Sequence, residues 1–209
     1  MLVEKGAKVI ITGRSFDKIE NVKQRLGVLG LAFDVSDVKK IVAKTKECVK
    51  LLGGRVDVLI NNAGALVNKP LSQMSNDDIN YVYSVNVFSV IKLIRDLLAH
   101  FNNDAHIVNI SSVGGVQGSV KFSGLSTYSS SKGAISILTE CLAEEFKESS
   151  LRFNALALGA VQTEMLQEAF PDYQAKTSAK EMAIYIYRFA TQDGKLYNGK
   201  ILVVSSSTP

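Results

Sequence analysis

The chain predicts an α/β fold, a parallel sheet covered by helices on both faces. Three observations carry this. Short apolar runs alternate with longer helical patterns from one end to the other, the alternation that builds parallel sheets. The run His106-Ile107-Val108-Asn109-Ile110 has the continuous apolar character of a buried strand. At 209 residues with 46% apolar content, the chain can bury one sizeable core, so residues 1–209 read as a single domain.

Taken in order, Met1 to Ala7 reads as the last turn or two of a helix closed by Gly6. Strands are expected near Lys8 to Thr12, Gly30 to Phe33, Val56 to Ile60, His106 to Ile110, Arg152 to Leu158 and Lys200 to Val204, with helices between. The segments Ile79 to Phe101 and Ser129 to Phe146 are too apolar for helices with one face in water. Residues Glu164 to Lys176 form a short helical pattern interrupted at Phe170-Pro171-Asp172-Tyr173. The tail from Val203 to Pro209 supplies no chemical group of note.

Composition excludes several classes. The net charge of +4 is spread among interspersed acids and bases, the mark of solvated helix faces rather than a nucleic-acid groove. Cys48 and Cys141 lack metal-ligand spacing and read as reduced core thiols. His100 and His106 stand far from any cysteine or carboxylate cluster, so no metal site is expected. No run of 18 apolar residues and no secretory signal occurs, which gives an expectation of a cytoplasmic protein without a membrane span.

The chemistry concentrates in Ser111-Ser112 and in Tyr128-Ser129-Ser130-Ser131-Lys132. On a helix, Tyr128 and Lys132 share a face. An ammonium near a phenol favours the phenolate, so the Tyr128 pKa is expected to fall from about 10, making it a candidate general acid/base. Ser112 follows an apolar strand, which puts its hydroxyl at a carboxyl end, where open α/β sheets bind ligands. Three further elements keep company with this pair. Asp57-Val58-Leu59-Ile60-Asn61-Asn62-Ala63-Gly64 is a strand ending in amides and small residues, which permit close backbone approach. Asn86 is a polar residue inside the apolar run Ser84-Val85-Asn86-Val87. Arg152 to Thr163 is a strand that breaks at Gly159.

On N-N-A-G at Asn61 to Gly64, the Asn of S-V-N-V, the serine of N-I-S-S and Y-S-S-S-K, the chain resembles the short-chain dehydrogenase/reductase family over essentially its whole length. The resemblance implies a Rossmann-like doubly wound sheet and an NAD(P)-dependent oxidoreductase acting on a carbonyl or secondary alcohol. It assigns Asn86, Ser112, Tyr128 and Lys132 to a proton-handling tetrad. Tyr128 would exchange the proton, Ser112 steady the substrate oxygen, Lys132 also hold the nicotinamide ribose, and Asn86 place a water. Cofactor contacts are implied for Asp34, Val35, Asn61, Ala63, Gly64, Tyr128, Lys132, Gly159, Val161 and Thr163. At the end of the first strand, Gly13-Arg14-Ser15 offers no carboxylate, and Arg14 can pair with a 2′-phosphate, so NADP(H) is expected over NAD(H). Asp34 can equally act in a local turn or cap. Met165, Phe170 and Tyr173 fall at the family's substrate lid, where they would line the pocket or equally cover the sheet edge, and the two apolar helices fall at the face used there for homodimers or homotetramers, although helices buried in the core carry the same signature.

Three departures stand out. Leu158 replaces the proline usual before Gly159, and the stretch from Ser112 to Tyr128 is slightly long, with Gly118 to Ser126 shaping the substrate mouth. The family's first strand and Gly-rich pyrophosphate turn have no counterpart ahead of Met1 to Ala7. That strand is central in the family's sheet, so its lack implies two inner edges with unpaired amides. At ~1–3 kcal/mol for each buried orphan, against a total stability of about 5–15 kcal/mol, the chain is expected to fold poorly and to grip a cofactor weakly. A non-catalytic binding or nucleotide-sensing protein is the alternative that this departure raises.

Overall fold

The structure, a computed structural model, describes residues 1–206, so the final residues of the tail read above lie outside the described part. Strands β1 (Ile10–Gly13), β2 (Leu29–Ala32), β3 (Val56–Asn61), β4 (Phe101–Ser112), β5 (Arg152–Leu158), β6 (Val161–Gln162), β7 (Thr177–Ser178) and β8 (Ile201–Val204) alternate with helices. The helices are α1 (Phe16–Leu26), α2 (Val38–Leu52), α3 (Asn76–Tyr83), α4 (Ser89–Leu97), α5 (Ser126–Glu145), α6 (Glu164–Ala169) and α7 (Ala179–Thr191). Ahead of β1, a single turn at Val3–Lys5 ends at Gly6 with φ 79°, the left-handed C-cap expected there.

Every ladder is parallel, and the strands fall into a two-stranded sheet β1-β2, a four-stranded sheet β3-β4-β5-β8 and a small β6-β7 pair. No ladder joins β1 to β3 among the described residues. The two inner edges anticipated from the sequence are therefore present as a seam between the sheets.

Period-two alternation along β4 decides which layer covers which face. Ile107 packs with Val90, Ile94 and Leu97 of α4 and Ile135 and Ala143 of α5. Val108 and Ile110 point the other way, onto Phe189 and Ala190 of α7 with Leu156. A third cluster, Phe33, Val35, Ile41, Ala65 and Val85, ties the β1-β2 sheet to the body. Cys141 departs from its expected place in the core: it faces out from α5, whereas Cys48 is partly buried and its thiol is pushed up to about 11 by that burial.

His106 is a satisfied core residue, 2% exposed. Asn154 donates from Nδ2 to the Tyr197 carbonyl at 2.9 Å and accepts at Oδ1 from the Lys200 amide at 3.1 Å, which fixes its orientation. Its Nδ2 also lies 3.0 Å from His106 Nε2, so that nitrogen accepts. His106 Nδ1, 3.0 Å from the Ala190 carbonyl, must donate. The imidazole is thereby held neutral in one tautomer.

Candidate active site

The carboxyl ends of β1, β2, β3, β4 and β5 carry Arg14, Asp34, the Asn61 to Gly64 turn, Ser112 and Gly159 in turn, so nearly every residue singled out in the sequence lies along one rim of the sheets. This is where the α/β architecture places ligands. Helix α5 starts at Ser126, which puts Tyr128 in its first turn and Lys132 one turn further on.

Lys132 is only 5% exposed. Its Nζ donates to the Ile110 carbonyl at 2.8 Å and sits 5.9 Å from the centroid of the Tyr128 ring, within cation–π range. No carboxylate among the described residues pairs with it. Burial alone lowers its pKa from 10.5 to about 8.

The electrostatics of Tyr128 run opposite to the sequence expectation. Burial raises its pKa above the ordinary 10, and the hydrogen bond from Ser112 only partly offsets that. The ammonium addresses the ring and a backbone carbonyl instead of the phenol oxygen, so burial decides the direction. Tyr128 is a neutral phenol at pH 7, held beside the Ser112 hydroxyl.

Asn86 occupies a π-type turn, Ser84–Phe88, between α3 and α4, a local widening frequent at functional sites. Its Oδ1 accepts from the Ala65 amide at 2.7 Å, and its Nδ2 donates to the Ala65 carbonyl at 2.9 Å and to Ser131 Oγ at 2.9 Å. Ser131 Oγ donates in turn to the Tyr128 carbonyl at 2.7 Å. Asn86 thus clamps the turn after β3 to the helix that carries Tyr128. Gly64 lies in that turn. A Cβ there would come within 3.7 Å of both Asn86 Oδ1 and Lys132 Nζ and within 3.6 Å of Met165 Cε. The absent side chain leaves open the ground between amide and ammonium.

The remaining candidates divide. Asn61 turns into the sheet, donating to Asn109 Oδ1 at 2.8 Å, and Asn109 donates to Thr139 Oγ1 at 2.9 Å. Ala63 is exposed on the rim. Asp34 accepts from the Ser36 amide and hydroxyl at 2.8 and 2.7 Å, a local turn, while Asp37 caps α2. Val35 is buried in the core cluster, which leaves its backbone for any contact. Gly159 donates to the Val204 carbonyl at 2.9 Å, and a Cβ on it would come within 2.3 Å of Ser205 Oγ, so close packing of β8 requires glycine there. Val161 is in β6, and Thr163 caps α6 through Oγ1. Arg14 is exposed at the end of β1, with its guanidinium donating to the Tyr81 hydroxyl and lying 5.8 Å from that ring's centroid.

Beside the rim, Leu66, Asn68, Met165, Glu168 and Ala169 line a cavity of about 220 Å³. Met165 is the one lid residue named from the sequence that lines it; Tyr173 is half exposed. The loop between Ser112 and Tyr128 is gathered by Lys121, whose Nζ donates to the Val116 carbonyl at 2.7 Å and Ser119 Oγ at 2.6 Å.

Ser131, Asn109, Thr139 and the Ile110 carbonyl were not singled out in the sequence. Asn109 carried a usable signal, the same one that marked Asn86: a lone amide inside an apolar run. The Ile110 carbonyl carried none, since its role depends on where the Lys132 ammonium lands.

The rim thus holds a buried lysine without a carboxylate partner among the described residues and a neutral phenol beside a serine. The sequence model of the family described as short chain dehydrogenase matches residues 1–174, and the chain belongs to that family. It is 37% identical over 153 residues to the L-2,3-butanediol dehydrogenase of Corynebacterium glutamicum, covering 72% of this chain and 57% of that protein. It is 30% identical over 185 residues to the 3-oxoacyl-(acyl-carrier-protein) reductase of Vibrio harveyi, covering 85% and 72%. Among solved structures, a Serratia marcescens short-chain dehydrogenase/reductase superposes with TM-score 0.87 at 26% identity, over 97% of this chain and 88% of that one. A Burkholderia cenocepacia short chain dehydrogenase in complex with NADP superposes with TM-score 0.88 at 24% identity, over 99% and 89%, a likeness of fold.

No helix among the described residues is long and apolar enough to cross a membrane, and no cluster of His, Cys, Asp or Glu that could hold a metal occurs among them.

Proposed function

We propose that this protein interconverts a carbonyl and a secondary alcohol on a small molecule, with NADP(H) as the hydride carrier. The observation that carries the proposal is the buried Lys132 ammonium. Among the described residues it has a single hydrogen-bond partner, and it faces the open ground at Gly64, which suits the hydroxyls of a cofactor ribose. The nicotinamide supplies or accepts the hydride when bound; the protein's residues handle position and proton. Tyr128 holds its proton at Oη because burial keeps the phenol neutral, so it serves as the acid that protonates a carbonyl oxygen in the reducing direction. Ser112 donates to the same oxygen, and Lys132 keeps a positive charge beside the ring. Asn86, through Ala65 and Ser131, fixes the distance between the β3 turn and α5.

Arg14 supports NADP(H) over NAD(H): a guanidinium at the end of β1, with no carboxylate beside it in Gly13-Arg14-Ser15, suits a 2′-phosphate. The cavity at Leu66 and Met165 suits a compact, largely neutral substrate. Phe88, Ile91 and Ile137, 47%, 41% and 61% exposed on the π-turn, α4 and α5, support pairing with a second copy through these helices.

The test is NADPH oxidation followed at 340 nm with a panel of ketones, diketones and 3-oxo thioesters. Turnover that Tyr128→Phe lowers by at least 10²-fold while cofactor affinity stays intact supports the reading. A Tyr128→Phe variant as fast as the parent would overturn it.

A further inference from the structure

Among the described residues the β1-β2 sheet and the body are bridged across the seam by one ion pair: Lys18 Nζ lies 2.6 Å from Glu164 Oε2. Lys18 is in the first turn of α1, directly beyond Arg14, and Glu164 opens α6 directly after Thr163. The contact therefore spans the carboxyl rim at the point where the two sheets come together without a ladder. The next residue, Met165, reaches the ground at Gly64 shared by Asn86 and Lys132. Three cations belong to this rim: Arg14, Lys18 four residues after it, and Lys132, which shares the ground at Gly64 with Met165. Among the described residues only Lys18 of the three is paired with a carboxylate, and that carboxylate is held below its ordinary range chiefly by its hydrogen bond with Lys18.

A dinucleotide carries its 2′-phosphate, its pyrophosphate and the hydroxyls of its nicotinamide ribose in that covalent order. With the 2′-phosphate at Arg14 and the nicotinamide ribose at Lys132, the pyrophosphate falls midway. We propose that Lys18 is a pyrophosphate ligand, and that Glu164 stands in for the pyrophosphate and is displaced by it. The inference rests on the dinucleotide reading given above. The pair suits exchange: its side chains are 69% and 79% exposed, and exposed ion pairs hold weakly. A pyrophosphate offers the ammonium more charge and more acceptor oxygens than one carboxylate does.

The experiment measures dissociation constants of the full chain for NADPH, NADH and 2′-AMP, which has the 2′-phosphate but no phosphate on the 5′ side. Lys18→Ala is expected to weaken both dinucleotides about tenfold and to change 2′-AMP less than twofold. Glu164→Gln, which removes the competing charge, is expected to tighten both dinucleotides several-fold. Both side chains are exposed, so thermal melts should stay unchanged and folding is not at stake. Unchanged dinucleotide constants in Lys18→Ala overturn the proposal, as does a loss confined to NADPH and 2′-AMP, which would move Lys18 to the 2′-phosphate. If Arg14→Ala weakens NADPH and NADH equally while the Lys18 pattern holds, the NADP preference fails and the Lys18 assignment stands. A parent chain that binds neither dinucleotide removes both.

Discussion

The Lys132 ammonium lies over the ring of Tyr128, 5.9 Å from its centroid, and gives its hydrogen bond to the Ile110 carbonyl. The two groups share one low-dielectric pocket, and each is pushed toward its neutral form: the phenol keeps its proton more tightly and the ammonium holds its proton less tightly. On the proposed reading this sets Tyr128 as the acid and leaves Lys132 as the member of the pair that titrates nearer to neutral pH.

An alkaline limb in the reductive reaction follows. kcat/KM reports the groups of the free protein, and Lys132 loses its charge as pH rises through about 8. Reductive kcat/KM is expected to fall tenfold per pH unit above that value. Lys132→Arg, which stays charged, should lose the limb even where its absolute rate is low. A profile flat from pH 7 to 10 would remove Lys132 from the proton path.

The same burial makes Lys132 a cost to the fold. Its folded pKa of about 8 lies below the ordinary 10.5, so below pH 8 the folded state holds a charge that the unfolded state solvates better. The difference corresponds to about 3 kcal/mol, relieved as pH rises from 8 to 10.5. Lys132→Met should therefore raise the melting temperature at pH 7 while abolishing turnover. A Met variant that melts below the parent would show that the Ile110 bond outweighs desolvation.

His106 gives an acid counterpart. Its folded pKa is lowered by burial from the ordinary 6.5. The unfolded state therefore takes up the proton first, and stability present above pH 6.5 is lost as pH falls below it, by at most about 1.4 kcal/mol per unit. In NMR titrations of the folded protein, the midpoint of the His106 ring should lie below 6.5. A midpoint at or above 6.5 would contradict the fixed tautomer.

Asn86 should prove structural as well as chemical. Asn86→Ala leaves the Ala65 amide and carbonyl without their side-chain partners in the interior, and losses of this kind cost ~1–3 kcal/mol per group. The expected result is a melting temperature several degrees lower together with lost turnover. Full stability with lost turnover would mean that the clamp on Ala65 carries little weight.

Much of this was legible in the residues. The observed strands β3 and β5 match Val56 to Ile60 and Arg152 to Leu158 to within a residue, because apolar runs bounded by turn residues mark strands directly. Tyr128 and Lys132 share a pocket as their helical spacing required. The direction of the Tyr128 shift was not legible, since it depends on how deeply the first turn of α5 is buried, and spacing does not encode depth. Cys141 misled for a related reason: the apolar wealth of α5 hides which side faces out. Ser131 lay inside the quoted motif, yet its bridge to Asn86 needed the π-type turn, which no local pattern announced.

The seam between β1 and β3 has a last consequence. Backbone ladders spread the cost of opening over many residues, but the β1-α1-β2 unit is joined to the body by side chains, chiefly through Phe33, Val35 and Ile41 meeting Ala65 and Val85. Detaching it breaks no ladder, so this unit should be the first cooperative block to exchange its amide hydrogens. Arg14 and Lys18 ride on that block. On the cofactor placement proposed above, a dinucleotide spanning Arg14 to Lys132 would tie this block to the body, and its binding would be linked to the local folding of that corner.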